Sequence, residues 1–309
     1  MFDVIVGNPP YQKEPSPSNY MAPLYHTFTK KSIETSKLVL FITPSRWFAA
    51  RGALRTFRKF MTSQPNRISL IRTFDEKNKV FGSHVDIKGG VSYFLYNHEH
   101  NGKCLYNGDM IDMSRYDVLI TDNRFSSIID KMNSHTSLAS IMKSRSFWKI
   151  KTNDKNVTDK KNNSNFIVCY MSKLKGFKKY IQNTYITNPY NYHKVFVAAA
   201  VHGGWSGLGN VFVGESKSVA SASYMHFSVG DSSEAQSLTS FLHTDTANVL
   251  VSLRKPAQDL NNSTFKWVPL LPLDRTWDDA SVYDYLDLTE EEIMLIKETA
   301  AKIKGAHNV

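Results

Sequence analysis

Apolar positions along the chain fall into short blocks whose period changes. Residues 2–7 (FDVIVG) form an apolar run with β-branched members, which predicts a buried strand ending at Gly7. Asn8-Pro9-Pro10-Tyr11 follows directly. Two prolines cannot continue a strand ladder, and a residue before proline is pushed out of the helical region, so a stiff extended turn is expected there. Residues 12–20 (QKEPSPSNY) read as a flexible loop. Leu24, Phe28 and Ile33 recur near helical spacing and predict a helix over 22–36. LVLFITP (38–44) reads as a second buried strand, with Ser45 as the cap of a helix over 46–62. Further strands are expected at 67–73 (RISLIRT) and 89–97 (GGVSYFLYN), the latter pairing with 103–108 (KCLYNG) through HEHNG. Strand, helix, strand, helix, strand is the pattern of a three-layer α/β sheet.

The pattern changes near residue 143. Residues 143–179 are rich in Lys, Asn and Ser, and 180–270 hold short β-like runs (KVFVAAAV, NVFVG, YMHFSVG) between Gly, Ser and Asn turns. One helical stretch, 233–252, interrupts them. Near the C-terminus, Thr289 is placed as an N-cap and Glu292 at the capping-box position. No repeat of 20–50 residues is seen. The expected organisation is an α/β part over 1–142, a mixed α+β domain over 143–277 and a helical tail over 278–309.

Composition narrows the function classes. Of 309 residues, 41% are hydrophobic and 21% charged, which excludes disordered and fibrous chains. Lys+Arg 38 against Asp+Glu 28 gives a net charge of +10, and with 12% aromatics this favours an anionic partner, nucleic acid first. The two cysteines exclude a disulfide scaffold or a multi-cysteine zinc site. His26, His84, His98 and His100 lack ligand spacing, and no Asp…Glu-x-Lys set suggests a nuclease metal site, so no metal is expected. No apolar run approaches the ~20 residues of a membrane span, and the start lacks a signal-peptide pattern. A cytoplasmic protein without a membrane partner is the expectation.

Asn8-Pro9-Pro10-Tyr11 carries the candidate chemistry. The prolines hold the backbone extended and remove two N–H donors, leaving neighbouring carbonyls free to accept. Asn8 adds a side-chain acceptor at the carboxyl end of a strand, where open α/β sheets place ligands. Tyr11 brings a flat ring close by. Paired acceptors and a stacking ring suit the exocyclic amine of an adenine flipped out of a duplex. The plainer alternative is a proline-stiffened loop with Tyr11 as a packing residue.

These residues resemble those of the γ-class adenine-specific DNA methyltransferases of restriction–modification systems. FDVIVGNPPYQ is similar to the family's catalytic strand and turn, LYHTFTKKSIE (24–34) to the next helix, and LVLFITPSRWF (38–48) to the next strand and turn. DIKGGVSYFLYN (86–97) resembles the strand that delivers a second stacking residue, and residues 265–293 resemble the C-terminal end of many such methylases. The resemblance implies a partial Rossmann-like three-layer methyltransferase sheet followed by a mixed α+β target-recognition domain. It implies S-adenosylmethionine as methyl donor and double-stranded DNA as partner. Asn8 and the Pro9 carbonyl would accept from the target amine, with Pro10 stiffening the turn and Tyr11 stacking on the base. Phe94 is the choice for the opposite face, with Tyr93 as the other candidate. Leu24 and Phe28 match positions that line the cofactor's adenine pocket, or else pack helix on sheet.

One part of the family pattern is missing. A glycine-rich cofactor motif, roughly FxGxG, normally precedes the Asn-Pro-Pro-Tyr strand, and no such motif stands in this sequence. Residues 202–210 (HGGWSGLGN) are the one glycine-rich stretch, read as a turn or DNA-facing loop, and no ribose-binding acidic residue is placed. Three arrangements stay open: a split enzyme whose partner subunit supplies the cofactor motif, a truncated product, or a DNA-binding specificity subunit without catalysis. Weak binding of S-adenosylmethionine by the chain alone is expected. Lys143, Arg145, Lys149, Lys151, Lys155, Lys160, Lys161, Lys173, Lys175, Lys178 and Lys179 form a candidate phosphate-contacting surface or a solvated linker. Trp205 would probe a groove or pack, and the arginine face of 46–62 shares this ambiguity.

Overall fold

A computed structural model describes residues 1–13, 22–50, 52–63, 65–74, 80–81, 90–120, 122–201, 207–255 and 259–305. The chain divides into two compact units, Met1–Asn123 and Arg124–Val309.

The first unit runs β1 (Phe2–Gly7), α1 (Tyr25–Thr35), β2 (Ser36–Pro44), a 3₁₀ turn (Ser45–Phe48), α2 (Ala53–Met61), β3 (Ile68–Phe74), β4 (Val91–Asn97), β5 (Cys104–Tyr106) and β6 (Asp109–Ile111). These strands form one sheet in the order β1-β2-β4-β3-β5-β6. β1 is parallel to β2, and β4 lies antiparallel between β2 and β3. Both edges of β4 are therefore taken, and the expected pairing of 89–97 with 103–108 does not form. β5 pairs parallel with β3 instead and turns back into β6 through Asn107 and Gly108, both at positive φ.

Strand alternation decides which face of this sheet is covered. Val39 and Phe41 of β2, Phe94 and Tyr96 of β4 and Ile68 and Ile71 of β3 are buried on one face. Tyr25 and Ile33 of α1 and Leu54, Phe57 and Met61 of α2 join the same cluster, so both helices lie on that face. The alternate positions Leu38, Leu40 and Ile42 are only half-buried. Within this unit the described residues thus build two layers, where three were expected.

The helix expected over 46–62 is also shorter. Gly52, at φ +61°, stands at its N-cap, and no side chain caps it, so Ser45 does not serve as the cap. Arg58 explains the geometry. Its buried guanidinium donates to the carbonyls of Trp47, Ala50 and Asp117, tying α2 to the 3₁₀ turn. A buried structural arginine cannot belong to the DNA-facing arginine surface considered for this segment.

The second unit contains α3 (Ser126–Asn133), β7 (Met142–Lys143), β8 (Phe166–Tyr170), β9 (Lys178–Gln182), β10 (His193–Ala198), β11 (Val211–Gly214), β12 (Ser218–Ala220) and β13 (Tyr224–Val229). α4 (Ser232–Leu242), α5 (Asp245–Leu253), α6 (Asp279–Tyr285) and α7 (Glu290–Gly305) follow. Its sheets run β11-β10-β13-β7 and β12-β8-β9. Residues 124–142 pack here, as the bond from Leu138 N–H to the Val268 carbonyl (2.8 Å) shows. The helical stretch 233–252 is two helices, because the Thr244 hydroxyl accepts from Ala247 N–H and starts α5 afresh. The capping box forms as expected: Thr289 N–H donates to Glu292 (2.9 Å), and Glu292 N–H donates to the Thr289 hydroxyl (3.3 Å). Glu292 also pairs with Lys131 at 2.7 Å.

The core of this unit is aromatic. Trp148 stacks on His226 with centroids 4.3 Å apart and planes at 14°, and Tyr192 bonds His226 at 2.7 Å. Lys194 is fully buried beside them, its ammonium donating to the carbonyls of Tyr190 (2.7 Å) and Ser216 (2.7 Å).

Candidate functional site

β1 delivers Asn8 to the carboxyl edge of the first sheet, because Gly7 pairs in parallel with Phe41 while β2 runs on to Pro44. Asn8 and Pro10 are exposed, Pro9 is buried and Tyr11 is half-buried. The backbone after the prolines is fastened to the entry of α1. Leu24 N–H donates to the Tyr11 carbonyl (3.0 Å), and Lys13 N–H to the Ala22 carbonyl (2.9 Å). Gln12 and Pro23 form a β-bridge between them. A turn that has given up two N–H donors is thus held by donors and acceptors on its far side.

Two rings flank Tyr11. Tyr25 lies 6.5 Å away with planes at 80°, and Phe81 lies 6.4 Å away with planes at 70°. Phe94 is elsewhere. Its register opposite Phe41 turns it to the helix-covered face, where it is fully buried and meets Phe41 edge-on at 6.4 Å. A stacking residue needs an open face, so Phe94 is corrected to a core residue. Tyr93 points to the other face and lies against Phe74, 5.9 Å away. Phe81, the ring edge-on to Tyr11, has no place in the alternating pattern that marks the aromatics of β4. The signal in the sequence is an aromatic outside any alternating run, at KVFG.

Polar groups gather at this edge. Burial pushes the Tyr11 hydroxyl up to about 12, with the neighbouring Asn8 side chain opposing. Tyr25 is likewise raised above the ordinary tyrosine range by burial, with Arg46 and the Trp47 backbone opposing. Among the described groups, no hydrogen bond of ordinary geometry reaches the hydroxyls of Tyr11, Tyr25, Thr43, Ser45 and Ser92, or the Trp47 indole N–H. Thr43 and Ser92 face each other across β2 and β4, and Ser45 N–H reaches Gly90 at 3.0 Å. Each orphaned buried polar group costs about 1–3 kcal/mol, so such a cluster marks function more readily than stability.

Of the residues matched to cofactor binding, Leu24 is half-buried and Phe28 is 44% exposed on α1. Acidic groups of β1 and α1 sit at the other edge: Asp3 pairs with Lys37 at 2.8 Å and Glu34 with Lys31 at 3.1 Å. Among the described residues, no group of three or more His, Cys, Asp and Glu can hold a metal ion, and no helix is long and apolar enough to cross a membrane.

In the second unit, Lys149, Lys151, Lys155, Lys160, Lys161 and Lys173 are exposed. Lys143 is half-buried on β7. Three of the cations are engaged: Arg145 with Asp259 (3.2 Å), Lys178 with Glu215 (2.5 Å) and Lys179 with Asp159 (2.9 Å). Trp205 and the Lys175 side chain lie outside the described residues.

Residues 1–81 match the family of Eco57I restriction-modification methylases. Over 110 residues, 34% of this chain, the sequence is 30% identical to a Mycoplasma pneumoniae protein described as an uncharacterized adenine-specific methylase. The matched stretch spans about a quarter (26%) of that relative's length. Both matches are to methylases, and each covers only part of the chain. Among solved structures, the chain is similar to the type IIL restriction-modification enzyme MmeI in complex with DNA, at 10% identity over 99% of this chain and 54% of that one, with a TM-score of 0.46. It is also similar to the type IIG restriction endonuclease BpuSI, at 10% identity over 93% of this chain and 49% of that one, with a TM-score of 0.39.

Proposed function

We propose that this chain carries the target-base turn and the DNA-recognition region of a γ-class adenine-specific DNA methyltransferase in a restriction–modification system. The observation that carries this reading is the Asn8-Pro9-Pro10-Tyr11 turn at the carboxyl edge of β1, with Asn8 exposed and Tyr11 flanked by Tyr25 and Phe81. The match of residues 1–81 to restriction-modification methylases supports it.

In this reading the target adenine leaves its stack and enters beside Tyr11, since a paired base hides its amine. The Asn8 side-chain oxygen and the Pro9 carbonyl accept from the two amine hydrogens and draw the nitrogen lone pair into position. Tyr11 supports one face of the base, and Phe81, edge-on to Tyr11 at 6.4 Å, helps hold that ring in place. S-adenosylmethionine, when bound, supplies an electrophilic methyl group. Leu24 and the exposed Phe28 suit its adenine ring. Asp3 and Glu34 stand at the wrong edge to meet its ribose, and in this reading a partner subunit supplies the remaining cofactor contacts. Transfer is direct: Cys104 and Cys169 are buried, with both thiols pushed up to about 12, and neither offers a thiolate nucleophile. Lys143, Arg145, Lys149, Lys151, Lys173, Lys175 and Trp205 are assigned to double-stranded DNA, chiefly to its phosphates.

The test is nucleoside analysis of DNA incubated with the protein, as assembled in its own cells, and methyl-labelled S-adenosylmethionine. Label in N6-methyladenine is expected. Label in a methylated cytosine would reject the adenine assignment.

A further inference from the structure

Leu174 is 92% exposed, the barest large apolar side chain among the described residues. It stands at the tip of the hairpin joining β8 to β9, in a 3₁₀ turn spanning Lys173–Lys175. Local bonds fix that tip. Met171 N–H donates to the Phe177 carbonyl (2.9 Å) and Gly176 N–H to the Lys173 carbonyl (3.3 Å). Gly176 turns the chain at φ +80°, in the left-handed region that favours glycine. Behind the tip, Phe177 packs on Tyr170 at 5.3 Å and on Phe212 at 4.9 Å. The turn is thus carried on the aromatic core, while its leucine adds nothing to that core. Turn positions ordinarily carry small or polar residues, so packing gives no reason for leucine here.

Cations surround this tip. Lys173 is exposed, and Lys175 follows Leu174 in the sequence. Residues 155–161 (KNVTDKK) run along the outer edge of β9: Thr158 N–H donates to the Tyr180 carbonyl (2.8 Å), and Tyr180 N–H returns the bond (2.9 Å). Glu215 and Asp159 pair with Lys178 and Lys179 of β9. Lys155, Lys160, Lys161 and Lys173 are exposed and make no ion pair among the described residues.

We propose that Leu174 is a wedge that enters one base step of duplex DNA from the minor groove and kinks it, with Lys173 on a flanking phosphate. This rests on the reading above that the second unit meets double-stranded DNA. One apolar tip among unneutralised cations selects that occupant. An opened base step offers an apolar slot with phosphates on both sides, and wider phosphate contact offsets the unstacking. A lipid surface would need a broader apolar face than a single leucine. An apolar pocket on another protein would have to strip water from the lysines around the tip. The minor groove is about 6 Å wide, which admits one side chain of a turn but not the two-stranded ribbon behind it, so the lysines stop at its phosphate walls.

The test uses the protein as assembled in its own cells and a duplex that it enriches from a random-sequence pool. Adenines of both strands are replaced in turn by 2-aminopurine, and dyes on the two ends report bending by energy transfer, all at saturating protein. In the wild type and in Leu174→Phe, bases at one step should brighten and the ends should approach. Both signals should vanish in Leu174→Ala, with binding weakened about tenfold. Its melting temperature should not change, because Leu174 is almost wholly exposed. Lys173→Ala should weaken binding and flatten its salt dependence by about one unit while keeping both signals at saturation. Undiminished bending and affinity in Leu174→Ala would overturn the wedge and leave the DNA reading standing, and that result is the one expected if another protein or a membrane covers Leu174. If no duplex is enriched, the DNA reading fails and the wedge with it. Neither signal depends on methyl transfer, so loss of the methylation reading alone leaves the wedge in place.

Discussion

Tyr11 meets Tyr25 edge to face, with ring centroids 6.5 Å apart and planes 80° apart. Tyr25 is 2% exposed and packs in turn against Phe57 at 6.2 Å. The orientation of the proposed stacking ring is thereby set by the helix-side core. Tyr25→Ala is expected to lower unfolding stability by about 3–5 kcal/mol, as loss of a buried aromatic does. Tyr25→Phe removes a hydroxyl whose contact with the Trp47 backbone falls outside ordinary hydrogen-bond geometry, so the change is expected to be within about 1 kcal/mol of neutral. Urea unfolding of both variants checks the pair.

Phe81 and Phe94 separate function from packing. Phe81→Ala is expected to leave the melting temperature nearly unchanged and, by loosening the Tyr11 ring it meets edge-on, to weaken capture of the flipped base by less than the about 1–3 kcal/mol of one base–aromatic stack. Phe94→Ala removes a fully buried ring and is expected to cost about 3–5 kcal/mol of stability. Fluorescence of 2-aminopurine at the target position, beside thermal melts, distinguishes them.

His226 gives the second unit a pH response. Burial, with Lys194 and Lys143 nearby, holds its imidazole down at about 3, against an ordinary 6.5. Between these values the unfolded chain takes up a proton that the folded chain refuses. Stability is therefore full above pH 6.5 and falls as pH drops toward 3, with a slope of at most about 1.4 kcal/mol per pH unit. His226→Phe keeps a ring against Trp148 and removes the titration, so this part of the slope is expected to vanish in pH-dependent denaturation.

The exposed lysines of 149–173 are expected to contact phosphates without reading sequence. Lys149→Ala and Lys151→Ala should each weaken binding equally for specific and non-specific DNA and flatten the salt dependence by about one unit. Arg145→Ala, which removes a cation already paired with Asp259, should change it less. Titrations across salt concentrations make the comparison.

The positions of the main strands and the turn at Asn8 were legible because apolar runs and prolines act locally, but the burial expected of β1 was not, since Phe2, Val4 and Val6 are exposed. Strand neighbours were not. Nothing in 89–97 announces that it slots between β2 and β3 rather than folding back on 103–108, since that order is fixed by long-range register. The break at Gly52 was hidden by a run of good helix formers, and the role of Arg58 emerges only when its three carbonyl partners come together. Phe81 escaped for the same reason: its meaning lies in its distance from Tyr11, not in its sequence neighbours.

The claim that the turn after β1 holds the reacting amine is tested most directly by single-turnover methyl transfer with Asn8→Ala, with DNA affinity measured on the same samples. Asn8 is exposed, so the fold should be unaffected. The account expects transfer to adenine to fall by about two to three orders of magnitude, the usual effect of deleting one preorganised polar contact, with DNA affinity unchanged. Transfer at the original rate, or a loss that merely tracks weakened DNA binding, would contradict it.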